Sequence, residues 1–145
     1  MTIIVDPASV YAYTQAMGDT NPAYPQSPHD AEGKIAPPSF AAVYALGAGA
    51  LTLRSAGIDP SRLIHVGQEF SWERAIRVGE KLRSQGRVAE VTRKRSLQLV
   101  TAEVLVTDEA GAAVCRSLGS ILVLPDPADK PPGQCLRCSC WQLGT

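Results

Sequence analysis

Apolar positions recur at helical spacing in the first third of this chain and at alternating spacing over most of the rest. Val10, Tyr11, Tyr13, Thr14 and Met17 form one face of a first helix. Asp6 caps it, Pro7 suits its first turn, and Gly18 supplies the stop. A second helix is predicted from Pro38-Ser39 through Arg54 or Ser55, ending at Gly57. There Phe40, Val43, Tyr44, Leu46, Leu51 and Leu53 alternate with Ala41, Ala42, Ala45, Gly47, Ala48, Gly49 and Ala50, and no charge precedes Arg54. A helix apolar all round is expected to be enclosed by the rest of the protein. Interior glycines cost about 1 kcal/mol each relative to alanine, so Gly47 and Gly49 predict the close approach of another backbone. A membrane-surface helix would need a basic polar face, which this one lacks.

After Pro60 the period changes to two. Strands are expected over Leu63–Trp72, Glu80–Thr92, Leu97–Thr107 and Ala112–Leu124, with a short one at Ile3–Val5. Asp108-Glu109-Ala110-Gly111 reads as a hairpin turn, and Val78-Gly79-Glu80 and Arg93-Lys94-Arg95-Ser96 as the other turns. One apolar helix followed by antiparallel strands is α+β, a sheet wrapped on a helix. The Pro- and Gly-containing stretch from Asp19 to Pro38 is a long loop, of the length that is usually functional or mobile.

Composition narrows the partners. The 145 residues suit one domain. With 14 basic and 14 acidic residues the formal net charge is zero, which gives no bulk attraction to nucleic acid or membrane. No apolar run reaches the roughly 18 residues of a membrane span, and the first residues lack a signal-peptide pattern, so a cytoplasmic location is expected. Cys135, Cys138 and Cys140 offer three thiolates, but a closed zinc site needs a fourth ligand and no histidine is near. Neither metal nor cofactor is expected. A domain over 1–126 is predicted, with 127–145 a disordered tail introduced by Pro125, Pro127, Pro131, Pro132 and Gly133.

Three stretches carry a family resemblance. They are Tyr13 to Tyr24 with its Gly18-Asp19-Thr20-Asn21-Pro22-Ala23-Tyr24 segment, Ala36-Pro37-Pro38-Ser39-Phe40, and Ile64-His65-Val66-Gly67-Gln68-Glu69-Phe70 with Arg77-Val78-Gly79-Glu80. Their order resembles the MaoC-like hot-dog dehydratases, and more closely the FAS1-like or MaoC N-terminal dehydratase domain, over residues 3 to 124. The hydratase-2 motif of that family reads Asp-x-Asn-Pro-x-His. Asp19, Asn21 and Pro22 match it, whereas Tyr24 holds the histidine position. The resemblance implies hydration of enoyl thioesters, or dehydration of (R)-3-hydroxyacyl thioesters, on coenzyme A or acyl carrier protein.

Such chemistry needs a base to deprotonate water for attack at C3 and an acid to protonate C2, jobs a carboxylate and an imidazole can share. It also needs amide donors for the enolate oxygen, which a buried helix N-terminus supplies. Here those would be the amides of Ser39, Phe40 and Ala41, while Tyr24, Phe40 and Tyr44 would line an acyl tunnel. Asp19 would be the base, or would simply bond its own turn, and Asn21 would hold the loop. A phenol at Tyr24, ordinarily titrating near 10, is a poor base. His29 lies ten positions beyond Asp19 instead of five, and His65 sits in a strand.

Eight of the fourteen basic residues fall between Arg74 and Arg95. Arg74, Arg77 and Lys81 are the candidates for coenzyme A or carrier phosphates, against the alternative of a solvated edge-strand face. Chains with Tyr for His resemble the His-lacking, acyl-binding subunit of heterodimeric (R)-3-hydroxyacyl thioester dehydratases. That implies either a heterodimer with a His-containing MaoC-like subunit, or a homodimer that works alone. A binding module without catalysis and a hot-dog thioesterase are the other readings.

Overall fold

A computed structural model describes residues 1–94 and 97–125; the cysteines and prolines of the expected 127–145 tail lie outside the described residues. The elements are β1 (Thr2–Ile4), α1 (Pro7–Met17), a 3-10 turn (Pro38–Phe40) leading into α2 (Ala41–Ser55), a second 3-10 turn (Pro60–Arg62), then β2 (Leu63–Trp72), β3 (Lys81–Lys94), β4 (Leu97–Thr107) and β5 (Ala113–Val123). The five strands form one antiparallel sheet in the order β1-β3-β4-β5-β2. This is the α+β hot-dog architecture, with the sheet wrapped against one long helix.

Local chemistry accounts for the boundaries. Asp6 caps α1 by accepting from the Ala8 and Ser9 amides at 3.0 and 3.1 Å, and the Ser9 side chain above all, with those two amides, holds its carboxyl below the usual range. Gly18 ends the helix in the left-handed region, at φ 67°. The β4–β5 turn is closed by Asp108, whose carboxylate accepts from the Ala112 amide at 2.9 Å. Side chains of one strand face alternate as expected, so Val100, Ala102, Val104 and Val106 of β4 are all buried.

The larger apolar cluster joins Val5, Val10, Phe40, Tyr44, Leu82, Val104 and Val106, with Ala41, Ala45 and Ala48 of α2 in it. Tyr13 meets Phe40 edge-on at 5.3 Å. Leu53, Val100, Ala102, Ile121 and Val123 form a second cluster at the far end of α2.

Two expectations about α2 are corrected. The helix is covered on one side only: Val43, Leu46 and Leu51 are exposed, because a single sheet can cover only one flank of a helix. Nor does a backbone approach at Gly47 or Gly49, whose nearest neighbours are the side chains of Met1 and Val104. The close backbone passage is instead at Gly86 of β3, which runs against Ala48 and Thr52. The glycine that permits contact stands on the strand, because flat backbone can slide under the helix where no Cβ projects.

Candidate functional site

The Asp19 segment leaves α1 as a series of side-chain-closed turns. One oxygen of Asp19 accepts from the Asn21 amide at 3.0 Å, and Asn21 Oδ1 accepts from the Ala23 amide at 2.9 Å. Gln26 Nε2 donates to the carbonyls of Asn21 and Tyr24, and Lys34 Nζ to that of Pro22 at 2.9 Å. Asp30 holds the Gln26 amide and faces Lys34 at 3.4 Å, which together keep its carboxyl below the ordinary range. The loop is thus a fixed scaffold. It presents Asp19 and Asn21 on its exposed side and turns Tyr24 inward, where 8% of its surface remains accessible. Among the described residues no hydrogen bond joins Asp19 to either histidine: His65 pairs with Gln68 at 3.2 Å, and His29 is exposed.

At the start of α2 the 3-10 turn consumes two of the three candidate amides. Phe40 N–H donates to the Pro37 carbonyl at 2.9 Å, and Ala41 N–H to those of Pro38 and Ser39. Pro38 has no N–H, so Ser39, exposed at the first turn, offers the amide that no described residue accepts. Phe40 and Tyr44 are packed in the core. Burial, chiefly, and the neighbouring Cys115 push the Tyr44 phenol well above its ordinary value, and burial raises the Cys115 thiol. Tyr44 also reaches a cavity of about 290 Å³ beside the helix start, walled by Pro37, Pro38, Trp72, Arg74 and Ile76.

The candidate phosphate anchors differ among themselves. Arg74 is already paired, with Nη1 on Glu80 at 2.9 Å and Nη2 on Asp108 at 3.2 Å, and Glu80 above all raises its affinity for the proton. Lys81 faces Glu109 at 3.4 Å. Arg77, exposed, has no acidic partner among the described residues. Farther along the cluster, Arg87 and Arg116 both donate through Nε to Glu103, whose side chain is 9% accessible. The Lys94 and Arg95 side chains lie outside the described residues.

Two features escaped the residue-by-residue reading. One is that Glu103 pair of contacts. The other is a second cavity, about 360 Å³, between α2 and strands β2, β4 and β5, with His65, Gln68 and Ser117 on its wall. The sequence signal for it was polar Gln68 and Ser117 at inward strand positions, beside Gly119. Among the described residues no helix is long and apolar enough to cross a membrane, and no group of three or more His, Cys, Asp or Glu stands together to hold a metal.

The family model for the FAS1-like dehydratase domain region matches residues 1–117. The chain belongs to that family. It is 31% identical over 120 residues to a UPF0336 protein of Streptomyces griseus, covering 76% of this chain and 77% of the relative. Among solved structures, the HadBC (3R-hydroxyacyl-ACP dehydratase) complex of Mycobacterium tuberculosis shares the fold at TM-score 0.68 and 19% identity, over 84% of this chain and 90% of that one. A MaoC-like dehydratase from Rhodospirillum rubrum does so at TM-score 0.61 and 22% identity, over 88% and 89%.

Proposed function

We propose that this cytoplasmic chain is the acyl-binding member of a MaoC-like dehydratase pair. It holds an enoyl or (R)-3-hydroxyacyl thioester on coenzyme A or acyl carrier protein while a His-containing subunit of the same fold supplies the Asp/His pair. One observation carries this reading. Asp19 and Asn21 match the family motif in sequence, but the residue in the histidine position, Tyr24, is packed inward, and one carboxylate oxygen of Asp19 accepts from its own turn. A water molecule there meets a carboxylate and no imidazole, so one of the two proton-transfer partners is missing.

Other features support the same reading. The exposed Ser39 amide at the α2 N-terminus suits a thioester carbonyl. Val43, Leu46 and Leu51 on α2, and Ile64, Val66 and Trp72 on the edge strand β2, are exposed apolar side chains of the kind a second subunit covers. The HadBC structure is itself a complex of two chains.

The test is a hydration assay on crotonyl-CoA with the purified chain, alone and co-expressed with a subunit carrying the full Asp-x-Asn-Pro-x-His motif. Turnover is expected only from the pair. Turnover by the chain alone that Asp19→Asn abolishes would replace this reading with a self-sufficient homodimer. Release of free thiol from acyl-CoA would replace it with a thioesterase.

A further inference from the structure

The 360 Å³ cavity under α2 owes its existence to small residues. Ala45, Gly49, Ala50, Ala102 and Gly119 all face it, and a Cβ on Gly119 would stand 3.2 Å from Gln68 Oε1. Its volume falls within the range of small-molecule sites, and its wall is mostly apolar with a few placed polar groups, as such sites usually are.

The polar groups form a directed chain. Gln68 Nε2 lies 2.7 Å from Ser117 Oγ, 3.2 Å from the Leu118 carbonyl and 3.3 Å from the Glu69 carbonyl. Carbonyls only accept, so this end of the carboxamide is the NH2 group, and Oε1 faces His65 Nε2 at 3.2 Å. His65 therefore carries its proton on Nε2. Ser117 Oγ accepts from Gln68, which leaves its own O–H as a donor that no described residue takes. Only 3% of Ser117 is accessible. A buried donor in an apolar hollow is costly unless something accepts from it.

We propose that the acyl chain of the thioester enters this cavity, and that Ser117, aimed by Gln68, donates to a hydroxyl or keto oxygen carried along that chain. Oxygenated acyl groups are thereby selected over plain hydrocarbon ones. The inference rests on the acyl-thioester reading above and adds the class of acyl group. A hydrocarbon chain would fill the same space while stranding the hydroxyl; an oxygen on the chain satisfies it.

The experiment measures binding of N-acetylcysteamine thioesters to the full chain by calorimetry. The probes are one unsubstituted chain and a series of equal length bearing one hydroxyl or keto group at successive carbons. One position in the series is expected to bind roughly tenfold more tightly than the plain chain, the worth of one net hydrogen bond. Ser117→Ala should remove that preference, so that oxygenated and plain chains of equal length bind the variant alike. Gly49→Leu, and independently Leu46→Trp at the exposed rim, should weaken every probe.

If the wild type binds the chains but no oxygen position gains, the inference fails and the acyl-thioester reading stands. A preference that survives Ser117→Ala, or probes that bind the two filling variants undiminished, also overturns it. If the wild type binds no probe at all, the acyl-thioester reading falls with it.

Discussion

Gly86 of β3 passes so near Thr52 of α2 that a Cβ on the strand residue would stand 2.1 Å from the Thr52 hydroxyl oxygen. The Ala48 carbonyl would be 3.1 Å away, and Thr52 already donates to it at 2.8 Å. Gly86→Ala should therefore destabilise the fold by about 1–3 kcal/mol, the usual cost of overpacking. Adding Thr52→Ala should recover part of the loss, because the side chain can be removed and the carbonyl cannot. Urea denaturation of the single and double variants checks this; an unchanged midpoint in Gly86→Ala would contradict it.

Glu103 is held by Arg87 and Arg116 together, and the hydrogen bonds from Arg116 and then Arg87 keep its carboxyl below the ordinary range. A lowered folded-state pKa means the contribution is fully present above the ordinary glutamate value and is lost as pH falls through the folded one. Glu103→Gln should thus lower stability by about 1 kcal/mol at neutral pH, both arginines being half-exposed or more. The gap between wild type and variant should close in acid. Urea midpoints across a pH series read this directly, and a gap that widens on acidification would be the wrong sign.

Arg74 and Arg77 are three positions apart in the chain and opposite in role. Arg74→Ala breaks contacts to Glu80 and Asp108 and should cost up to about 1 kcal/mol in stability. Arg77→Glu should leave the melting temperature unchanged and weaken coenzyme A or carrier-protein binding roughly tenfold if its free guanidinium meets phosphate. Thermal melts and binding titrations on both variants separate the two roles.

Val43 is 46% exposed on the uncovered flank of α2. Val43→Asp should leave the isolated chain folded but carry an unpaired carboxylate into any subunit interface formed there, which is strongly unfavourable. Analytical ultracentrifugation is expected to show loss of the dimer with the helical circular dichroism signal intact. A dimer as tight as the wild type's would move the interface elsewhere.

Much of the architecture was legible before any coordinates. The Leu63–Trp72 strand, the Asp6 cap and the Gly18 stop are set by local rules of spacing and backbone conformation, and they stand where those rules put them. The environment of α2 was not legible. Periodicity says that Gly47 and Gly49 are small, not what lies opposite, and the partner that needed a glycine was thirty-odd residues later in β3. The motif segment was more legible: a bond from Asp19 to its own turn and a loop-holding Asn21 were both open readings, and the amides of Asn21 and Ala23 make those bonds. Which arginine near Glu80 was already paired depended on Asp108, brought beside it only by the hairpin turn.

Among the described strands, β2 touches the sheet only through β5, the latest of them to leave the ribosome. Until β5 is made, Ile64 and Val66 have no sheet to join, and Gln68 has no Ser117 to hold. The pocket wall is therefore completed only once β5 is made, after α2 and β3 are already available to each other. A nascent chain stalled before Ala113 would be sticky along β2 and unable to receive any ligand, which makes this edge a natural point for chaperone capture and for early joining with a second subunit.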